Sequence, residues 1–347
     1  MKYTCIDSFS GAGGLSLGLS NAGFDILFSF DLDDLSIKTQ KLNTKYFNHE
    51  AVCLDITKLN SKHLMKKLGI RRGELTLFAG GPPCQGFSIQ RIGEDDDDRN
   101  NLIFEYMKKV VDFLPKCFLM ENVPGITGKR GKKILEDAIS FAEEHGYFIH
   151  RNILDAQDYG VPQRRRRLII VGERLEKGNP KFEFPMPSKR KITVRDTIFN
   201  LPKPPTDGTD HKKIPLHRSD KLSKINIQRI KFLKQGQGRE FLPEQLLADC
   251  HKVNSNIIGH RNVYGRMHWD EVAPTITARF DSFTRGLFGH PEQNRSISLR
   301  EGAMLQTFPM AFNFCGNKVD IARQIGNAVP PILAQIIGEK LIQSLSV

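Results

Sequence analysis

The sequence predicts an α/β protein of the nucleotide-binding type, joined to a smaller region of irregular structure. The chain begins with a short apolar strand, a glycine-rich turn and a helix with apolar residues at helical spacing. Several later apolar runs of strand length end in an acidic or polar residue. Between about residues 183 and 290 this alternation stops, prolines cluster and the charges are mostly basic.

The composition favours a polyanionic partner. Lys and Arg number 51 against 39 Asp and Glu, a formal net charge of +12, which suits nucleic acid or an anionic membrane equally. No apolar run reaches the roughly 18 residues of a membrane span, and no signal peptide precedes the first strand, so we expect a cytoplasmic protein without a membrane partner. The 6 cysteines show no zinc spacing, which predicts reduced thiols and no metal.

The N-terminal region has the spacing of a nucleotide site. Residues 3–7 form the first predicted strand, and the turn from Phe9 to Gly14 opens a helix. Asp31 and Asp33 follow the second strand, where an acceptor for ribose hydroxyls would lie, and Asp55 follows a third apolar run and suits an adenine amine. The turn alone fits a dinucleotide as well as an adenosyl cofactor, so an NAD-dependent oxidoreductase remains an alternative at this point.

The candidate nucleophile lies in the segment from Gly80 to Ser88. The apolar run 75–79 predicts a strand, and two glycines and two prolines end it abruptly. Cys84 then stands on a stiff loop, because proline fixes φ and glycine permits close backbone approach. An isolated cysteine is more often a small buried hydrophobe, but the frame Pro82-Pro83-Cys84-Gln85 favours a catalytic thiol.

This frame resembles the catalytic loop of the cytosine-5 DNA methyltransferases. Other motifs of the family stand before and after this frame, and along the chain they have the family's order. They are Phe9-x-Gly11-x-Gly13-Gly14, Asp31/Asp33 with Asp55-Ile56, Glu121-Asn122-Val123, Gln163-x-Arg165-x-Arg167, Leu305-Gln306-x-Phe308-Pro309 and Gln324 to Pro331. The resemblance runs from Asp7 to Pro331. It implies an S-adenosylmethionine-dependent methyltransferase fold, with a mixed sheet, helices on both faces and a smaller irregular target-recognition domain.

The resemblance also implies a division of the chain into three segments. Residues 1–182 would form the catalytic and cofactor-binding domain, and residues 183–290 the target-recognition domain. Residues 291–347 would form a hinge for the recognition domain and then return to the catalytic domain.

The family's chemistry assigns roles to five residues. Carbon-5 of cytosine attacks a methyl group only after a thiolate adds to carbon-6, and Cys84 would supply that thiolate. An ordinary cysteine thiol, with a pKa of about 8.5, is only slightly ionised at neutral pH, so Arg165 and Arg167, on one face of a strand, are expected beside it. Glu121 would neutralise charge on the ring, Arg167 would stabilise the carbonyl oxygen, and Asn122 would orient Glu121.

The resemblance implies S-adenosylmethionine as the cofactor. The family usually has Glu at the position of Asp31, so Asp33 is expected to share the ribose. The residues expected to bind the cofactor are Phe9, Gly11, Gly13, Gly14, Asp31, Asp33, Asp55, Ile56, Pro82, Leu102, Asn327 and Ala328.

The implied substrate is cytosine in double-stranded DNA, and the base must be flipped out of the stack to react. The residues expected to contact DNA are Ser88, Gln90, Arg91, Gln163, Arg261, Arg266, Arg279 and Arg285, most of them through the phosphate backbone. A monomer on DNA and a cognate restriction endonuclease are the remaining partner expectations. Two alternatives share the fold: a tRNA cytosine-5 methyltransferase and a catalytically silent DNA-binding homologue.

Overall fold

The computed structural model describes residues 2–83, 101–129, 131–175, 179–249 and 263–346. The chain forms two compact units. The first unit comprises Met1–Asp155, Arg166–Pro187 and Val329–Val347, and the second comprises Ala156–Arg165 and Ser188–Ala328. In this division the segment predicted as a hinge is shared, because residues 291–328 belong to the second unit and the rest to the first.

A mixed sheet forms the centre of the first unit, as the sequence predicts. Its seven strands have the order β3-β2-β1-β4-β5-β7-β6. The first five strands along the chain are parallel, whereas β7 is antiparallel to both of its neighbours. The strands are β1 Tyr3–Ser8, β2 Phe24–Asp31, β3 Glu50–Cys53, β4 Leu77–Gly80, β5 Cys117–Asn122, β6 Tyr147–Asp155 and β7 Arg166–Arg174.

Helices follow the strands and cover the sheet. In the described part of the first unit they are α1 Gly14–Ala22, α2 Asp34–Leu42, α3 Ser61–Leu68, α4 Asn101–Phe113, α5 Lys132–Glu144 and α10 Pro331–Leu345. The second unit contains α6 Val194–Ile198, α7 Lys224–Phe232, α8 Leu299–Leu305 and α9 Lys318–Asn327. None of the helices in the described ranges has the length and apolarity needed to cross a bilayer.

The main core of the first unit lies between the sheet and helices α3, α4 and α5. β4 is buried at all four positions because strands pair with it on both sides. Phe78 of this strand stacks against Phe113 of α4, and Tyr106 of α4 donates hydrogen bonds to the carbonyls of Phe78 and Leu119. These contacts hold β4 in a fixed position, and β4 is the strand that precedes the Cys84 segment.

The last helix returns to the first unit and packs against the first helix. Gly18 of α1 allows this close approach: a Cβ at that position would lie 2.3 Å from the Pro331 carbonyl and 2.5 Å from the Ala334 Cβ. Gly338 of α10 makes the reciprocal approach to Ala22. The two helices thus support the glycine-rich turn that precedes α1.

The second unit is irregular, in keeping with the loss of strand-helix alternation in the sequence. Its described residues form short helices and isolated β-bridges. Buried polar side chains hold its loops together. Arg295 and Glu301, both buried, form a two-bonded ion pair at 2.7 Å, and Ser298 and Glu301 cap α8.

Candidate active site

Parallel strand ends bring the predicted motifs to one edge of the sheet. Ser8 at the end of β1 pairs with Phe30 of β2 and Gly80 of β4, and Gly80 pairs with Met120 of β5. Because ligands of such sheets bind beyond the carboxyl ends of the strands, the glycine turn, the acidic pair and Glu121 all lie at the edge where a site is expected.

The glycine turn has a backbone conformation that its sequence requires. Gly11 and Gly13 have φ values of +51° and +87°, a region that glycine enters at little cost. A Cβ on Gly13 would also lie 2.5 Å from the ring of Phe47. Phe9 itself has a φ of +53°, which is uncommon for a bulky residue and typical of functional turns.

The carboxylate of Asp31 is tied to the glycine turn. Its Oδ2 accepts a hydrogen bond from the Gly11 backbone N–H at 2.8 Å, and its Oδ1 accepts one from the Asp33 N–H at 2.8 Å. Burial raises the pKa of Asp31, although these two bonds oppose the shift. Asp33 accepts a hydrogen bond from the Ser36 hydroxyl at 2.7 Å. The Asp31 side chain, shorter than the glutamate usual in the family, therefore holds both the glycine turn and the start of α2 in place.

The next strand end supplies Asp55 and Ile56. Asp55 accepts a hydrogen bond from the Thr57 N–H at 2.9 Å, which lowers the pKa of its carboxyl, and Ile56 is buried. Leu32, which was not among the predicted site residues, is an apolar side chain that is 70% exposed between Asp31 and Asp33. Its position between two acids at a strand end was the available signal.

Asp7, which was not among the predicted site residues, lies in β1 just before the glycine turn. It is fully buried in β1, and its Oδ2 accepts a hydrogen bond from the Ser16 hydroxyl of α1 at 2.5 Å. Within the described part of the chain its Oδ1 has no hydrogen-bond partner. Burial raises the pKa of this carboxyl to about 7. The strand and the helix on either side of the glycine turn are thus joined by a carboxyl group that titrates near neutrality.

Glu121 and Asn122 lie against the backbone that leads to Cys84. Asn122 is buried and donates a hydrogen bond from Nδ2 to the Pro82 carbonyl at 3.1 Å. A Cβ on Gly81 would lie only 3.3 Å from Glu121 Oε2. The end of β5 therefore holds the backbone at Gly81 and Pro82, just before the segment that contains Cys84. Cys84 itself lies outside the described residues.

Arg167 forms an ion pair with Glu121. The distance from Arg167 Nε to Glu121 Oε1 is 2.7 Å, and both side chains are about seven-eighths buried, with exposures of 14% and 13%. The pair forms because β5 and β7 are antiparallel, so the end of β5 lies beside the start of β7, with Asn122 opposite Leu168. A carboxylate and a guanidinium thus share the edge where the cytosine ring is expected.

Arg165 is bound within the second unit, and the place predicted for it beside the Cys84 thiol stays a prediction. Arg164 and Arg166 are exposed and Arg165 is buried, although β7 begins only at Arg166. The Arg165 guanidinium donates hydrogen bonds to the carbonyls of Ile276, Gly326 and Ala328 at 3.0–3.1 Å. All three acceptors belong to the second unit, so this arginine holds that unit together, and in the described structure only Arg167 pairs with Glu121.

Gln163 and Arg266, both expected to contact DNA, are buried in the second unit. Gln163 donates to the Leu305 carbonyl and accepts from the Ile276 N–H. Arg266 donates to the carbonyls of Ile230, Leu233, His290 and Gln293, and burial lowers its pKa to about 10. These bonds give both side chains backbone partners within the unit, and the DNA contacts predicted for them stay predictions.

Two of the predicted DNA contacts remain available. Arg279 and Arg285 are exposed, and Arg279 forms an ion pair with Asp281 at 3.1 Å. The remaining predicted contacts lie outside the described residues: Ser88, Gln90, Arg91 and Arg261.

The four remaining residues predicted to bind the cofactor differ in burial and in their contacts. Pro82 is buried beside Asn122, and Leu102 packs against the core of the first unit. Asn327 is exposed at the end of α9, and the Ala328 carbonyl accepts the hydrogen bond from Arg165. The roles predicted for these four residues toward the cofactor stay predictions.

Comparison with known proteins identifies the family. A sequence model described as C-5 cytosine-specific DNA methylase matches residues 3–343. The chain belongs to this family. It is therefore a methyltransferase enzyme, as the motifs predict, and the NAD-dependent alternative is wrong.

Individual relatives of the methylase match along nearly the whole chain. The Type II methyltransferase M1.HphI of Haemophilus parahaemolyticus is 36% identical and covers 99% of this chain and 87% of the relative. The Type II methylase M.HgiDII of Herpetosiphon aurantiacus is 33% identical, with 98% and 95% covered. A solved E. coli structure, described as a DNA modification methyltransferase encoded within a prophage, is 28% identical with a TM-score of 0.75 and covers both chains at 100%.

Proposed function

We propose that this methylase transfers a methyl group from S-adenosylmethionine to carbon-5 of a flipped-out cytosine in a short, specific duplex DNA sequence. The observation that carries the proposal is the Arg167–Glu121 ion pair at the strand edge, directly beside Gly81 and Pro82. The side chains that would act on the ring and the backbone that presents the nucleophile converge at one place.

The residues present fit S-adenosylmethionine. The glycine turn has no side chain at Gly11 or Gly13 to obstruct an adenosyl group, and it opens α1, whose N-terminal N–H groups favour a negative partner. Asp31 would accept the ribose hydroxyls, Asp55 the adenine amine, and exposed Leu32 would cover an apolar face of the base. When bound, the cofactor supplies a methyl group on a positively charged sulfur.

Cys84 would act as the nucleophile toward the cytosine ring. Its thiolate would form a bond to carbon-6, and the electron pair of the 5,6 double bond would become available at carbon-5 for methyl transfer. After transfer, loss of the carbon-5 proton to water and expulsion of the thiolate would restore the double bond. The overall exchange is balanced, with one methyl group gained by the ring and one proton released.

Glu121 and Arg167 would stabilise the charge that thiolate addition places on the ring. Glu121, after it takes up a proton from water, would share that proton with the ring nitrogen, and Arg167 would donate to the carbonyl oxygen. Their ion pair fixes the two groups before the base arrives, which reduces the reorganisation needed in the transition state. Asn122 would position this pair against the catalytic loop through its bond to Pro82.

Duplex DNA is the substrate that the net charge and the relatives support. The formal charge of +12 suits a phosphate backbone, and the relatives named above are Type II enzymes. We infer that the chain is the modification half of a restriction system, acting as a monomer in the cytoplasm, with a cognate endonuclease as its genetic partner.

Bisulfite sequencing of plasmid DNA from cells that express this chain tests the proposal. We expect methylated cytosines within one short sequence, and none in cells that express Cys84→Ala. Cys53→Ala is a matched control, because Cys53 is an exposed thiol at the end of β3, and this variant should methylate normally.

Two results would contradict the proposal. Methylation that persisted in Cys84→Ala would exclude the covalent mechanism. Unmethylated DNA from cells with folded wild-type protein that binds S-adenosylmethionine would exclude duplex DNA, and tritium transfer to tRNA would then test the alternative substrate.

A further inference from the structure

A buried chain of polar side chains lies behind the glycine-rich turn, on the side of helix α2. Gln40 of α2 is only 1% exposed. Its Nε2 donates hydrogen bonds to the Ser10 hydroxyl oxygen and to the Gly11 carbonyl, both at 2.8 Å. Its Oε1 accepts a hydrogen bond from the hydroxyl of Ser29, a buried residue of β2, at 2.8 Å. One side chain therefore joins the turn to the second strand.

The orientation of the Gln40 amide follows from its neighbours. The Gly11 carbonyl can only accept a hydrogen bond, so the amide nitrogen must face the turn and the oxygen must face Ser29. His49 Nε2 lies 2.9 Å from Ser29 Oγ and 3.3 Å from Gln40 Oε1. Since the Ser29 proton is donated to Gln40, His49 Nε2 carries a proton and donates. Burial lowers the pKa of His49 to about 4, which keeps the ring neutral.

The chain of hydrogen bonds acts on the part of the turn that determines its shape. Gly11 is held on both sides, because its N–H donates to Asp31 and its carbonyl accepts from Gln40. The Cγ of Gln40 also packs against Gly13, where a Cβ would lie 3.2 Å from it. A buried amide is unfavourable unless it is hydrogen-bonded, and this one makes three hydrogen bonds to the structure around the turn.

We propose that Gln40 is a positioning residue for S-adenosylmethionine, which holds the glycine turn and the Asp31 carboxylate in the geometry that accepts the cofactor. This role rests on the proposed function. Gln40 lies behind the turn and contacts no reacting atom, so it acts through Gly11. Its loss should lower affinity for the cofactor and leave the chemical step unchanged.

Gln40→Met tests this role because it keeps the length of the side chain and removes all of its hydrogen bonds. We expect the Kd of the purified protein for S-adenosylmethionine and for S-adenosylhomocysteine, measured by calorimetry, to rise roughly tenfold, since two hydrogen bonds to the turn are lost. The KM for S-adenosylmethionine should rise equally, whereas kcat at saturation and the Kd for DNA should stay within about twofold of wild type.

Two further variants separate positioning from a general loss of structure. Gln343→Met is the matched control, because Gln343 is an exposed glutamine on α10 whose side-chain amide accepts a hydrogen bond from Lys340, and it should leave every constant unchanged. Ser29→Ala removes the hydroxyl that orients the Gln40 amide. It should raise the cofactor Kd by less than Gln40→Met, and it should add nothing in the double variant.

The outcomes are distinct. A folded Gln40→Met protein with a wild-type cofactor Kd would overturn the positioning role. If that variant does not fold, an unchanged Kd in Ser29→Ala would overturn it. A fall in kcat without a change in KM would also contradict it. Wild-type protein that binds no S-adenosylmethionine would refute the proposed function itself, and this role with it.

Discussion

Arg165 and Arg167 stand two residues apart in one motif, and the structure predicts opposite consequences for their replacement. We consider Arg165→Met and Arg167→Met, which remove the guanidinium and keep much of the aliphatic stem. Arg164→Met is the matched control, since the Arg164 side chain is 64% exposed and its guanidinium lies at a long 3.7 Å from the Glu271 carboxylate. Arg165→Met should destabilise the fold, and Arg167→Met should slow the reaction.

The expected magnitudes follow from the contacts. Without Arg165, the buried Ile276 and Gly326 carbonyls lose a donor, while the Ala328 carbonyl keeps its bond from Gln306. Each unsatisfied carbonyl costs about 1–3 kcal/mol, and the variant no longer has to bury the charged guanidinium, which offsets part of this cost. The free energy of unfolding should therefore fall by about 3 kcal/mol. Arg167→Met should lower the free energy of unfolding by about 1–2 kcal/mol, a value between the usual loss for an exposed ion pair and that for a buried one.

The effect on catalysis should reverse this order. Arg167→Met should lower kcat by roughly 100-fold or more, the usual loss when a donor to a developing oxyanion is removed. Arg165→Met, assayed below its unfolding temperature, should keep kcat within about threefold of wild type. Urea unfolding and tritium transfer from labelled S-adenosylmethionine to unmethylated DNA measure the two quantities. Normal stability with lost activity in Arg165→Met would refute the structural role of this arginine.

Three further predictions concern other parts of the molecule. The raised pKa of Asp7 means that the protonated carboxyl stabilises the fold below about pH 4, and that this stabilisation is lost as the pH rises to about 7. Between these pH values, the free energy of unfolding of Asp7→Asn in urea should therefore rise relative to that of wild type, by up to roughly 4 kcal/mol. Curves of this free energy against pH that run parallel for the two proteins would contradict the prediction. Gly18→Ala should lower the Tm, because overpacking against Pro331 costs about 1–3 kcal/mol and exceeds a gain of about 1 kcal/mol in helix propensity. An unchanged or higher Tm would show that α10 moves to accommodate the added methyl group. Arg285→Ala should weaken DNA binding and reduce its salt slope by about 1, whereas Arg266→Met should reduce stability; a salt slope changed by Arg266→Met alone would reverse these roles.

Much of the site could be predicted from the sequence because it is built at strand ends. Glu121 follows an apolar run, Asp31 follows another, and parallel strands place such ends together. Arg165 is buried between two exposed arginines, but it precedes β7, so the strand alternation expected from the sequence does not explain its burial. The strand-end positions depend on neighbours along the chain, which a sequence displays directly.

The acceptors of buried polar side chains could not be predicted in this way. Arg165 and Arg266 have the same charge as a DNA-binding arginine, and only the folded chain shows that backbone carbonyls occupy them. Gln40 was missed for the same reason: its position in α2 has ordinary helical spacing, and its role depends on Ser10 and Ser29, which reach it from other elements. Long-range hydrogen bonds leave no local pattern.

The reversed strand β7 has a consequence for where chemistry can be encoded. In a wholly parallel sheet, only residues at the finish of each strand face the ligand. Here one strand runs the other way, so residues at its beginning face the ligand as well, and a cation there can meet an anion at the finish of β5. The two members of the pair therefore come from separate strands, β5 and β7, and loss of either would leave the other charge without this partner.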